Sequence, residues 1–102
     1  MILLSLSINA FGETYTWDGG GDGTLWTDGR NWNTNTVPNP TVYNDYNIGS
    51  AITHMGGYNY ACSQFFASGG TASYGALLLS AGMWGYGSVT HGVTLMAPVS
   101  IN

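Results

Sequence analysis

The chain has 102 residues, enough for one small domain with one modest core. Charged side chains make up 6% of it, against about a quarter in ordinary domains; they are one cation, Arg30, and five acids, Glu13, Asp18, Asp22, Asp28 and Asp45. That balance excludes a phosphate-neutralising nucleic-acid surface and a polybasic lipid-docking face, and a hydrophobic fraction of 44% excludes a charged, disordered tail.

Residues 1–12 read two ways. Leu4, Leu6, Ile8 and Ala10 alternate with Ser5, Ser7 and Asn9, the period of a strand. The same run ends in Ala10-Phe11-Gly12, small residues of the kind a signal peptidase accepts, although no Lys or Arg precedes it. The strand reading is preferred, and the remnant of an export signal stays open. No apolar run approaches the roughly 20 residues of a membrane helix, so membrane insertion is not expected.

Residues 13–17 alternate, with Thr and aromatics suited to a pleated surface. Residues 18–24 form a Gly-rich turn, and residues 25–41 carry Trp26, Trp32, Pro38 and Pro40 in extended, irregular chain. Residues 13–41 thus make a Trp/Gly-rich cap before a strand-rich region at 42–102. Strands are expected at 42–48, 51–55, 58–67, 76–80 and 89–101. The separators are small residues at 49–50, 56–57, 68–70 and 82–88. In the final run Val93, Leu95, Ala97, Val99 and Ile101 share one face, and Pro98 marks an edge or bulge. No window keeps the 3–4 apolar spacing of a helix without a glycine interrupting it. The fold class is therefore all-β: short strands with Gly-rich turns in a single domain, β-solenoid-like, barrel or β-sandwich.

Reactive chemistry is sparse. Asp18, Asp22 and Asp28 invite a calcium reading, but an EF-hand counted from Asp18 places Gly20 and Gly29 where oxygen ligands belong. The nonapeptide calcium repeat fails at Leu25. Asx turns explain these aspartates better, and a calcium site on Asp18, Asp22 and backbone carbonyls stays as the alternative. The single Glu and the turn-bound Asp residues offer no clear pair of carboxyls across a cleft. His54 and His91 have no partner at zinc spacing, Cys62 has no His near it in sequence, and no serine sits in a nucleophile elbow. The expectation is no catalytic residue and no cofactor.

Aromatic residues are abundant, with 7 Tyr and 4 Trp. Tryptophan can fill a small core or offer a pyranose-stacking face. Tyr58 and Tyr60, two apart around Asn59, are read as an exposed ladder on one strand face, and Trp84 joins them as a candidate glycan contact. Residues 46–102 contain no Asp, Glu, Lys or Arg, so little opposes pairing of strand edges there.

The succession Thr16-Trp17-Asp18-Gly19-Gly20-Gly21-Asp22-Gly23-Thr24-Leu25-Trp26, Asn31-Trp32 and Val37-Pro38-Asn39 carries a resemblance. Over residues 15–50 it resembles the opening of secreted bacterial β-repeat surface proteins of the autotransporter and PEP-CTERM types. The resemblance implies a packed cap around Trp17, Trp26 and Trp32, strands stacked after it into a parallel β-helix, and an extracellular or cell-surface setting. The long Gly/Thr-rich repeat array of that family is not found here. The expected function is that of a non-enzymatic structural subunit, a homo-oligomer or polymer that builds a fibre or surface layer. Its assembly edges are expected at Leu4, Leu6 and Ile8 and at Val99 and Ile101. The alternative is a carbohydrate-binding or adhesin module with a polysaccharide partner, using Tyr58, Tyr60 and Trp84.

Overall fold

The computed structural model describes residues 12–89 and 93–95. Six strands occur in chain order: β1 (Thr14–Thr16), β2 (Asn44–Gly49), β3 (Ile52–His54), β4 (Asn59–Ser73), β5 (Ala76–Val89) and β6 (Val93–Leu95). The only helical piece among the described residues is a single 3-10 turn at Gly29–Asn31. No helix among them is long and apolar enough to cross a membrane. The all-β expectation holds. The strands form one sheet in the order β1-β2-β4-β5-β6, with β3 also paired to β4.

Every strand pairing in this sheet is parallel. Parallel neighbours ordinarily need a crossover of a dozen or more residues. Here only Tyr74 and Gly75 separate β4 from β5, yet Asn59 pairs with Ala76 and Ala72 with Val89. A straight strand of that length would carry Ser73 about 46 Å from Asn59. The three Cα steps from Ser73 to Ala76 cover at most about 11 Å. β4 must therefore bend round until its end returns close to its own beginning, and β5 repeats the course beside it.

The chain thus travels in stacked circuits. β2 and β3 are two sides of one circuit, since β2 pairs with 62–67 of β4 and β3 with 71–73. The register advances by 19 residues from Ile52 to Thr71, by 17 from Asn59 to Ala76, and by 16 from Leu77 to Val93. The first circuit holds β1 beside β2 and Leu25 bridged to His54. There the step is longer, 31 residues from Thr14 to Asp45, because the intervening chain leaves the circuit to cover its end.

In-register parallel stacking places like positions over like positions, so the interior is built in columns. Tyr15 pairs with Tyr46, and Tyr46 with Phe65; Asn44 pairs with Cys62, and Cys62 with Leu79. Thr53 lies against Ala72, and Tyr60 against Leu77. All of these side chains are buried, and the apolar ones belong to one core cluster with Trp26, Trp32, Ile48 and Met55. Burial also raises the Cys62 thiol well above the usual thiol range, consistent with a small hydrophobe.

The glycine groups at 68–70 and 82–88, expected as turns, lie instead inside β4 and β5. Gly69 takes φ +96°, and the register slips between Ser68 and Gly70, so the glycines bend the strand around a corner without ending its ladder. Gly70 is buried where two circuits nearly touch: a Cβ there would press on the carbonyl oxygens of Gly49 and Ala51. The run expected at 89–101 contains the end of β5 and then β6; its remainder lies outside the described residues.

Gly70→Val should lower unfolding stability by about 1–3 kcal/mol in urea titration, through overpacking. Ser68→Val, at an exposed neighbour on the same bend, should leave the midpoint nearly unchanged.

Candidate functional site: a covered end and an aromatic corner

Two places concentrate the unusual residues. The first is the end of the coil at β1. The loop 18–24 is held by one buried side chain, Asn31. Its Oδ1 accepts from the backbone N–H groups of Gly21 (2.9 Å) and Gly23 (2.8 Å). Its Nδ2 donates to Asp22 Oδ1 and to the Leu25 carbonyl, both at 2.8 Å. Both amide hydrogens and two acceptor bonds of the oxygen are thereby used, which is what burial of an amide demands.

Asp22 Oδ1 also accepts from the N–H groups of Thr24 and Leu25. Asp28 Oδ2 accepts from the Asp22 N–H and from Arg30 Nη2, while its Oδ1 accepts from Arg30 N and Nε. The Arg30 guanidinium, aided by the Asp22 N–H, pulls the Asp28 carboxyl down to about 2. The Leu25 N–H, then Asn31 and Thr24, lower that of Asp22. Asp18 Oδ1 accepts from Gly20 N–H. The aspartates considered for calcium therefore turn carboxylate oxygens toward their own loop, as Asx turns do. No group of three or more His, Cys, Asp or Glu gathers as a metal site among the described residues.

Residues 31–33 then run antiparallel along the outer edge of β1. Asp18 N and Gly19 N donate to the Asn31 carbonyl, Asn33 N donates to the Thr16 carbonyl, and Asn33 Oδ1 accepts from Thr16 N. Trp17 and Trp32 are bridged across this contact. The first circuit's strand edge is thus occupied by the chain itself, one of the ways natural sheets protect an edge.

The hollow of the coil is filled at the same place. Trp32 and Trp26 are fully buried, edge to face with ring centroids 5.2 Å apart. Trp32 also meets Tyr15 and Tyr46, and Trp17 packs on it from the half-exposed side. Both buried indole N–H groups have acceptors: Trp26 Nε1 donates to Thr53 Oγ1 (2.8 Å) and Trp32 Nε1 to the Trp26 carbonyl (3.0 Å). Asn44 links this cluster to β1, accepting from Glu13 N–H at Oδ1 and donating from Nδ2 to the Tyr46 hydroxyl.

The second place is the corner where β3 leads toward β4 and β4 turns into β5. Tyr58 is 54% and Tyr74 53% exposed. The Tyr74 ring stacks on His54 with centroids 4.2 Å apart and planes 15° off parallel. His54 Nδ1 accepts from Gly56 N–H, and the Gly57 N–H donates to the Tyr74 carbonyl. Tyr74 holds φ +60°, a left-handed conformation that disfavours a bulky side chain by about 1–2 kcal/mol.

Of the expected glycan contacts, only Tyr58 is shown exposed. Tyr60 is 1% exposed and packs between Trp26 and Tyr46, so the exposed Tyr58–Tyr60 ladder is corrected. The two do not share a face, because Tyr58 sits in the Gly56–Gly57 corner ahead of β4 whereas Tyr60 is already in the strand, pointing inward. Burial pushes the Tyr60 hydroxyl up to about 12. Trp84 stands in β5 opposite Phe66, and its side chain lies outside the described part. Leu4, Leu6, Ile8, Val99 and Ile101, expected as assembly edges, and His91 also lie outside the described residues.

The hydrogen bonds of Asn31 and Thr53 and the His54–Tyr74 ring contact are not legible in the sequence. Asn31 stood within the quoted Asn-Trp pair, but nothing in its spacing disclosed the Gly loop it would bind. No protein-family model matches the chain, and no curated protein or solved structure matches it.

Asn31→Asp keeps an acceptor for Gly21 and Gly23 but opposes an oxygen to Asp22 Oδ1 and the Leu25 carbonyl. It should cost about 2 kcal/mol or more at neutral pH, read by urea unfolding with tryptophan fluorescence. Asp22 and Asp28 bind protons less readily folded than unfolded. The stability they contribute is complete above their unfolded pKa near 3.8 and is lost as pH falls toward the folded value, about 2 for Asp28. Urea midpoints should therefore hold from pH 7 to about pH 5 and decline between pH 4 and pH 2. Asp28→Asn should flatten that decline while lowering the midpoint at pH 7.

Proposed function

We propose that the chain is a non-enzymatic structural module of an extracellular or cell-surface protein, whose strand circuits assemble with copies of themselves by edge pairing. The observation that carries this reading is an asymmetry between the first strand edge and the later circuits. The edge of β1 is covered by residues 31–33. Beyond Asp45 the sequence has no Lys, Arg, Asp or Glu with which to discourage pairing.

Among the architectures consistent with an all-β chain, a β-solenoid fits better than a sandwich. Among the described residues all strand-to-strand pairings in the sheet are parallel and advance by 16–19 residues after the first circuit, whereas sandwiches pair antiparallel strands. The stretch that resembles secreted bacterial surface proteins is the one that builds the covered end, which supports the extracellular setting. Because the first edge is already occupied, assembly uses the later circuits, and end-to-end pairing of two copies is favoured over head-to-tail growth.

Light scattering on the eluting chain, with negative-stain electron microscopy, tests this reading. The native chain should run as a multi-chain particle. Val99→Lys should reduce its mass, while Thr36→Lys, adding the same charge on the covered end, should not. A native chain that stays monomeric at all concentrations tested overturns the proposal.

A further inference from the structure

His54 ties its own circuit to the ones on either side. Its backbone N–H donates to the Thr24 carbonyl and its carbonyl accepts from the Trp26 N–H, both in the first circuit. Its ring stacks on Tyr74, in the link between β4 and β5. Its Nδ1 accepts from the Gly56 N–H at 2.9 Å. Gly56 opens a short crest, Gly56-Gly57-Tyr58, that is exposed throughout. The crest is tied at Gly56 to the imidazole and at Gly57 to the Tyr74 carbonyl. Both glycines take left-handed φ, +77° and +85°, and Gly57 has open space beside it.

We propose that the His54 imidazole is a pH-operated catch: neutral, it holds the 56–58 crest, and protonated, it releases that crest while staying stacked on Tyr74. A ring nitrogen accepts a hydrogen bond only while its lone pair is free. Protonated Nδ1 carries its own hydrogen, so two donors then face each other where the bond to Gly56 was. The ring contact responds the other way, because a cation over an aromatic face is attracted to it. One proton therefore breaks one contact of His54 and keeps the other. The crest is exposed, so its release is local and leaves the stacked circuits intact.

Histidine is the side chain whose charge ordinarily changes between roughly pH 5 and pH 8. The 22–30 loop packs against the same corner, with Leu25 bridged to His54 and Thr27 beside Gly56. Its charged groups are Asp22, Asp28 and Arg30. The ion pair found among the described residues joins Arg30 to Asp28, so no carboxylate pairs with His54 there. Hydrogen bonds hold both aspartates below the usual carboxylate range, Asp28 at about 2, and the loop keeps its charge while His54 titrates. β4 places Ser73 opposite His54, and the corner adds the phenols of Tyr58 and Tyr74.

Residue-resolved hydrogen–deuterium exchange on the full chain, at about pH 7 and pH 5, tests the catch. Rates are corrected for the intrinsic effect of pH on exchange. The Gly56 amide should lose about two- to tenfold in protection at the lower pH, as the loss of one hydrogen bond implies. The Met55 amide, bonded to the Ser73 carbonyl, should keep its protection. His54→Asn supplies an oxygen that accepts from the N–H two residues on, as in an Asx turn, but takes no proton in this range. It should protect Gly56 equally at both pH values. His91→Asn removes the other histidine and should respond as the native chain does. Gly56 protection that does not change with pH in the native chain overturns the proposal. So does a loss that persists in His54→Asn, disappears in His91→Asn, or extends equally to Met55.

Discussion

Everything in this molecule depends on parallel strands stacked in register, circuit upon circuit. Such stacking puts equivalent positions of successive circuits over one another, so an inward position must suit its neighbours as well as its own strand. The Tyr15–Tyr46–Phe65 column meets this requirement with three aromatic rings in succession before Met83 takes the next place. The Asn44–Cys62–Leu79 column shows how a polar member survives: Asn44 belongs to the second circuit, where Glu13 and the Tyr46 hydroxyl lie within reach of its amide. Deeper in the coil the same column is apolar.

A stack has ends, and an end presents two liabilities at once, an unpaired strand edge and an open hollow. The segment after Trp26 answers both. Its backbone takes up the edge of β1, and Trp32 fills the hollow beside Trp26. The polar cost of leaving the circuit is offset locally. The Gly loop finds its acceptors in Asn31, Asp22 and Asp28, each bonded to neighbours within about ten residues. The few charges of the sequence are concentrated here because this loop needs anionic acceptors. The stacked strands satisfy their backbone groups with one another and need none.

The sequence made the strand content legible, since alternation, β-branched residues and the lack of an uninterrupted helical period all pointed the same way. It also suggested that Trp26 and Trp32 belonged to packed structure. What it hid was direction. Alternation looks the same in parallel and antiparallel strands, and the short links at 50–51 and 74–75 would more naturally suggest hairpins. Nor does a glycine pair reveal whether it ends a strand or only bends it, and for that reason Gly69 and Gly70 were read as a turn. Tyr58 and Tyr60 misled for a related reason. The i, i+2 rule holds within a strand, and β4 begins between them.

The near-constant step between circuits has a kinetic meaning. In most β folds, pairing partners lie far apart along the chain, and that separation slows folding. Here, past the covered end, each circuit finds its neighbour 16–19 residues away. Only the contact between β1 and β2 spans 31 residues, and its longer loop adds about 0.5 kcal/mol of closure entropy over a 17-residue one. Adding circuits lengthens the chain without lengthening this search. Relative contact order therefore falls as the coil grows, and a sheet protein of this design acquires the local connectivity more familiar from helical bundles.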